Sequence, residues 1–488
     1  MTHSKIAPIL FAVLSLSALS VKAQDAPKSS HTQIKKRLEA AVQKAGFKAG
    51  ELGLWVGLNQ DGAPKAIFAQ NPQTPFLPAS LSKLVTAGAV LSDLHPGHKF
   101  KTQLAYSSKN AKLEGGVLNG PIYLKGGGDP AFISEKMWFL VNELTRSAIK
   151  RVDGDVIVDD SLFDAVRFGE DRQDERVDRA YDAPVGAMSM NWNSVNVYFR
   201  PGLKVGDPLQ VNPDVMTPYF KLKNETRTAA AGRGKTVTIE RTSEKGFAGD
   251  ILIARGAMAI DSPEAVIYKS ISKPDIWSGF NLIEFLRQRG IEVRGTVRSG
   301  TLPADAVILA TAESEPLSRI VADMSKWSNN YVAEMLVKNL AAANGDVPAT
   351  MEKGMIRVRS YLERKGFKAA DYEFINAAGF TRKNRLSPEQ LGRLLEIVRS
   401  DFAIFPEYLT SLPIAGIDGT LRSRMKDSAA TKWVRAKTGL LNGAVGLAGY
   451  AGRADGQIIS FAFIYNGPAR EDKARALFDR MAAMIVED

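Results

Sequence analysis

Residues 78–83 read Pro78-Ala79-Ser80-Leu81-Ser82-Lys83, and Leu84, Ala87 and Leu91 follow at helical spacing. The pattern predicts a helix starting near Ser80. Positions three apart share one helical face, so Ser80 Oγ and Lys83 Nζ can meet. A serine hydroxyl is a poor nucleophile until a base takes its proton, and a neutral lysine can be that base. Lysine is neutral near pH 7 only where burial or another cation lowers its pKa. Spacing alone is weak support, because Ser147…Lys150, Ser270…Lys273 and Ser423…Lys426 share it. A serine N-cap beside a solvated lysine would leave the same letters.

Two further short stretches carry polar chemistry. Ser328-Asn329-Asn330 breaks two apolar helical stripes, one of Leu317, Ile320, Val321 and Met324 and one of Val332, Met335, Leu336 and Leu340. A buried interhelical turn there can present Ser328 as a proton relay and Asn330 as an amide donor, although Ser-x-Asn alone most often marks a turn. Lys437-Thr438-Gly439 ends a predicted strand and occurs once. A cation beside a hydroxyl suits a carboxylate, and glycine lets a ligand backbone approach an edge strand with no Cβ in the way. A peptide added as a further strand would place its terminal carboxylate there.

Taken together, a Ser-x-x-Lys opening a helix, a Ser-x-Asn on an interhelical turn and a Lys-Thr-Gly on a strand resemble the constellation of penicillin-binding proteins and serine β-lactamases. The long interval from Ser80 to Ser328 is similar to that of the class C low-molecular-mass penicillin-binding proteins, the D-alanyl-D-alanine carboxypeptidase/endopeptidases of the penicillin-binding protein 4 type. Gly126-Gly127-Gly128-Asp129-Pro130, the run Asn376 to Arg382, the run Leu412 to Leu421 and Val434 to Gly439 also look like that family.

The resemblance implies an α+β fold: a serine β-lactamase/penicillin-binding-protein transpeptidase-like domain with inserted β-rich domains. It implies a serine-type D,D-peptidase acting on peptidoglycan and acylated by β-lactams at Ser80. Lys83 would be the base, Ser328 the relay to the leaving amine and Asn330 the holder of the substrate amide. The backbone N–H groups of Ser80 and Leu440 would form the oxyanion hole. Lys437, Thr438 and Gly439 would receive the leaving carboxylate, the Lys437 cation would help keep Lys83 neutral, and Arg382 would touch the stem peptide. The family commonly has Ser-Asp-Asn where this chain has Ser328-Asn329-Asn330, and an acid is expected around Ser189–Asn193 where this chain offers Asn191.

Two rivals stand beside this reading. A class A β-lactamase has a far shorter first interval and carries Glu-x-x-Leu-Asn, which Glu373-Phe374-Ile375-Asn376 does not match. A non-catalytic wall-binding protein would have no need of Ser80, Lys83, Ser328 and Lys437 together.

Composition is consistent with a lysine base. The chain of 488 residues has no cysteine, which excludes disulfides, thiolate nucleophiles and Cys-ligated zinc, and only four histidines, His3, His31, His95 and His98. A Ser-His-Asp hydrolase or a His-ligated zinc peptidase would need one of these at its site. No metal or cofactor is expected. Hydrophobic residues at 45% and charged residues at 24% suit an ordinary globular protein, and the formal charge of +11 suits an anionic partner.

Residues 1–23 read as a secretory signal: Lys5, an apolar stretch from Ile6 to Val21, then Val21-Lys22-Ala23. Export to the periplasm removes nucleic acid as a natural partner, leaves at most peripheral membrane contact and favours peptidoglycan as the acidic polymer. Beyond a polar tether from Gln24 to Ser30, a helix through Ile34, Leu38 and Val42 leads into a strand (Leu52, Leu54, Val56, Leu58), a turn at Asp61-Gly62 and a second strand near Ile67 and Phe68. Trp433–Lys437, Leu447–Ala451 and Ile458–Tyr465 read as three more strands, and a last helix presents Leu477, Phe478, Met481, Met484 and Ile485. A five-stranded antiparallel sheet with terminal helices follows. The expected organisation is 24–95 with 303–488 as the catalytic domain, 96–202 with 263–302 as an inserted domain, and 203–262 as a nested one.

Overall fold

A computed structural model of the chain describes residues 28–60, 63–169, 180, 183–468 and 470–487. The signal segment 1–23 and the Asp61-Gly62 turn lie outside the described residues.

The first and last segments build one antiparallel sheet of five strands. Its order is Val434–Leu441, Ala444–Gly452, Ile458–Asn466, Leu52–Gln60 and Ala63–Gln70. Side chains alternate across a strand, so each face has its own core. Ile459, Phe461, Phe463 and Tyr465 pack with Leu52, Leu54 and Val56 against the terminal helices Lys28–Ala45 and Glu471–Val486, through Ile34, Leu38, Leu477, Phe478, Met481 and Ile485. Ala462 and Ile464, one register step away, face the helical layer instead.

That layer holds the helices Ser82–Leu94, Leu317–Lys326, Asn330–Ala343, Met351–Arg364 and Pro388–Arg399. The first is buried along nearly its whole length, Lys83 included. The short break between Lys326 and Asn330 is the predicted polar turn, and Asn329 caps the following helix by accepting from Val332 N at 3.2 Å.

The insert carries its own core around Leu124, Val158, Trp277 and Leu286. Its five-stranded sheet runs Val297–Ser299, Val156–Asp159, Ile122–Lys125, Lys101–Ser107 and Ala306–Glu313. The last of these strands falls past residue 302, so the insert reaches further into the chain than composition indicated. The stretch 203–262 builds a three-stranded sheet of its own, in the order Phe220–Ala229, Asp250–Ala259, Thr238–Thr242, and also joins the rest of the insert. Gln210–Asp214 pairs with Ser194–Arg200, and Tyr219, Ile239 and Leu252 share the insert's core.

Candidate active site

Ser80 sits on a single 3-10 turn, Ala79–Leu81, that leads into the helix Ser82–Leu94. Ala79 has φ +49°, a left-handed conformation that costs energy for any residue with a Cβ. Opposite it Gly379, at φ +76°, approaches so closely that a Cβ would stand 1.9 Å from the Ala79 carbonyl oxygen. The turn that displays Ser80 is thus wedged against the 376–380 loop.

Lys83 is fully buried, and its Nζ meets three uncharged oxygens: Ser80 Oγ at 3.1 Å, Asn330 Oδ1 at 2.7 Å and the Ala378 carbonyl at 2.7 Å. A neutral amine has two N–H bonds and one lone pair. With Asn330 and Ala378 taking two N–H bonds, Nζ directs its third position at Ser80 Oγ, where the protonated amine donates and only a neutral amine would offer its lone pair.

Ser328, at φ +56°, lies across the cleft and accepts a hydrogen bond from Lys437 Nζ at 2.8 Å. Lys437 also donates to the Thr438 carbonyl at 2.9 Å. Burial among uncharged neighbours pushes the Lys437 pKa down to about 7. It is therefore a weaker standing cation than the sequence reading supposed, charged mainly below neutrality.

The edge strand Val434–Leu441 has one side open over part of its length. Ala415 N donates to Val434 O at 2.9 Å and Ala436 N to Pro413 O at 3.0 Å, so residues of this parity point their backbone groups outward. Thr438 and Leu440 share the parity, which directs the Leu440 N–H to the open edge beyond Pro413. Ser80, Ser328, Asn330 and Leu440 line one cleft, rimmed by the exposed Trp327.

Three expected residues stand differently. The close neighbour of Gly439 is the protein's own Pro78 carbonyl, 2.8 Å from where a Cβ would be, so this glycine seats the Ser80 turn rather than admitting a ligand. Arg382 donates through Nη2 to the Asn442 carbonyl at 2.8 Å and is not among the residues lining the Ser80 cleft. Asn191 exchanges hydrogen bonds with Ser134, both at 2.9 Å, and borders a neighbouring depression that shares Trp327 with the cleft. Sequence reasoning missed the Ala378 carbonyl, since a backbone acceptor has no side-chain signature. It also missed Thr420, whose Oγ1 accepts from Thr438 Oγ1 at 2.9 Å. Only its place two residues after Asp418, in the quoted run ending at Leu421, could have pointed there.

A serine with a lysine one turn on, at the head of a buried helix beside a five-stranded sheet, defines a serine peptidase of the penicillin-binding type. Residues 34–487 match the profile of the D-Ala-D-Ala carboxypeptidase 3 (S13) family, and the chain belongs to that family. A D-alanyl-D-alanine carboxypeptidase of Actinomadura sp. (strain R39) is 29% identical over 93% of this chain and 85% of its own length. The D-alanyl-D-alanine carboxypeptidase DacB of Haemophilus influenzae is 25% identical over 82% of this chain and 83% of that protein. In fold, the solved penicillin-binding protein 4 (dacB) of H. influenzae superposes with a TM-score of 0.76 at 23% identity, covering 91% of this chain and 99% of that one. The β-lactamase and wall-binder rivals give way to this membership.

Proposed function

We propose that the chain is a D,D-peptidase of peptidoglycan that works through a Ser80 acyl-enzyme, removing terminal D-Ala and cutting D-Ala-to-diamino-acid cross-links. The observation that carries the reading is the placement of Lys83 Nζ between Ser80 Oγ, Asn330 Oδ1 and the Ala378 carbonyl. Lys83 takes the Ser80 proton as Oγ attacks the carbonyl of the penultimate D-Ala. The oxyanion that forms meets the N–H groups of Ser80 and Leu440, donors typically worth about 3–4 kcal/mol each in such sites. Ser328 gives its hydroxyl proton to the leaving amine as it takes the one held by Lys83, which leaves Lys83 neutral again, and Asn330 has its side-chain NH2 for the substrate amide. Lys437 and Thr438 receive the leaving carboxylate, and Arg382 steers the stem peptide from the rim. Water then hydrolyses the ester, returning its proton through Lys83.

β-Lactams, which mimic the D-Ala-D-Ala amide, acylate the same Ser80. The substrate lies outside the cytoplasm, in keeping with the secretory signal read at residues 1–23 and with a periplasmic site of action. No helix among the described residues is long and apolar enough to cross a membrane.

Labelling with a fluorescent penicillin tests the nucleophile. Wild type takes label and Ser80→Ala takes none; equal label on both would overturn the assignment. Incubation with purified sacculi then reads the bonds cut, as released D-Ala and as dimers converted to monomers.

A further inference from the structure

The Thr438 hydroxyl donates to Thr420 Oγ1 at 2.9 Å, and Thr420 belongs to a loop that is fixed from three sides. Lys326 Nζ binds Asp418 Oδ2 at 2.6 Å and the Leu412 carbonyl at 3.1 Å. Asp418 Oδ1 accepts from Ile414 N at 2.8 Å. Gly419, at φ +54°, presses on the last turn of the helix Leu317–Lys326, where a Cβ would stand 2.6 Å from the Lys326 carbonyl oxygen. The Thr420 hydroxyl is thereby held at a set place relative to both Thr438 and the turn that carries Ser328.

Topology puts this loop at one end of the open edge. Pro413–Ala415 already occupies the outer side of Val434–Ala436, so a peptide added antiparallel along Thr438–Leu441 must have its C-terminus where that segment begins. Its terminal carboxylate then arrives beside Thr438 and Thr420. A carboxylate only accepts hydrogen bonds, whereas each hydroxyl has a single proton to give. In the free protein the Thr438 proton is committed to Thr420. Binding must turn it to the carboxylate, and the Thr438 oxygen then lacks a donor unless Thr420 reverses. Leu440, two residues along the same strand face, has no hydroxyl to contribute.

We propose that Thr420 is a positioning residue for the leaving-group carboxylate. Its hydroxyl reverses on binding and donates to Thr438 Oγ1, which frees and polarises the Thr438 proton for the carboxylate. The inference rests on the Ser80 reading above, and it makes this step specific to leaving groups that carry a carboxylate, whether a terminal D-Ala or the carboxyl-bearing centre of a cross-linked diamino acid.

The test compares two acyl donors on the full chain: a peptide ending in D-Ala-D-Ala, and an N-acyl-D-alanyl thioester that expels a neutral thiol. Thr420→Val keeps shape and removes the hydroxyl. A hydrogen-bond chain ending on a charged group predicts a loss of about 10- to 100-fold in kcat/KM for the peptide, mostly through KM. The thioester should change by less than about threefold, and Thr420→Ser should restore the peptide rate to within about threefold of wild type. Equal losses on both substrates, or no rescue by serine, would make Thr420 a merely structural residue and overturn the proposal, as would no loss on the peptide. A wild-type chain inert to both substrates would bring down the Ser80 reading itself, and this inference with it.

Discussion

Lys437 Nζ donates to Ser328 Oγ across 2.8 Å, tying the edge strand of the sheet to the turn between two helices. In the mechanism proposed above, the bond joins the group assigned to the leaving carboxylate to the group assigned to the leaving amine, so one connected pair would handle both ends of the departing residue.

The charge state of that pair predicts a pH dependence. Burial holds the Lys437 pKa at about 7 in the free protein, so the ammonium is the major form below neutrality and the amine above it. A carboxylate-bearing substrate binds the ammonium and must supply the free energy of protonation at higher pH. The kcat/KM of a D-Ala-D-Ala peptide should therefore show a descending limb that begins near pH 7, since this parameter reports free-enzyme pKa values. A neutral-leaving thioester should lack that limb. A peptide profile flat from pH 6 to 9 would contradict the role given to Lys437.

Proton transfer predicts a separate pair of outcomes. Ser328→Ala removes the relay and the acceptor of Lys437, and should lower peptide turnover by about 10²- to 10⁴-fold, the usual worth of positioned acid–base catalysis. Lys83→Met replaces a buried amine by an apolar chain of similar length. It should abolish fluorescent penicillin labelling while the circular dichroism spectrum stays that of wild type. Retained labelling of Lys83→Met at the wild-type rate would remove lysine from the mechanism.

Side-chain chemistry explains why this much of the site could be read from letters. Ser80, Lys83, Ser328, Asn330 and Lys437 carry functional groups that few other residues supply, and flanking periodicity located the helix, the interhelical turn and the strand that bear them. Ser80, however, lies on a 3-10 turn just before its helix, and Lys437 lies within its strand rather than at its end. The strands Leu52–Gln60 and Ile458–Asn466 were legible as well, the first from the alternation of Leu52, Leu54, Val56 and Leu58 and the second from a short apolar run, and both are buried on two faces over most of their length. What stayed hidden depends on distant partners. Ala378 contributes a carbonyl that any residue has, Gly439 owes its smallness to Pro78, and Ala306–Glu313 finds Lys101–Ser107 across the whole insert. No local pattern encodes such pairings.

Gly379 offers a test of how the Ser80 turn is held. Alanine there would meet two penalties at once: a left-handed φ of +76° and a Cβ 1.9 Å from the Ala79 carbonyl oxygen. The conformational part alone costs about 1 kcal/mol, and the clash must displace either loop. Because Ala79 precedes Ser80 and the Ala378 carbonyl accepts from Lys83, either displacement moves atoms that the proposed mechanism uses. Gly379→Ala should slow penicillin acylation by more than its loss of thermal stability accounts for, measured at a temperature where the variant remains folded. Wild-type acylation kinetics in this variant would show the wedge to be irrelevant to Ser80.

The far face of the sheet predicts the reverse behaviour. Phe463 is fully buried between Phe461 and Phe478, with ring centroids 4.9 and 5.6 Å away, in the layer formed with the terminal helices. Ala462, its neighbour, points to the helical layer that carries Lys83, so the two cores are separated by the thickness of one strand. Phe463→Ala removes an aromatic ring from a close-packed site and should cost about 3–5 kcal/mol of folding stability. The strand backbone is retained, and with it the register of Lys437 and Leu440. Denaturant melts should show the large loss, while the acylation rate of the folded fraction at low temperature stays within about twofold of wild type. A parallel collapse of acylation would mean that the terminal-helix core sets the geometry of the cleft as well as the stability of the fold.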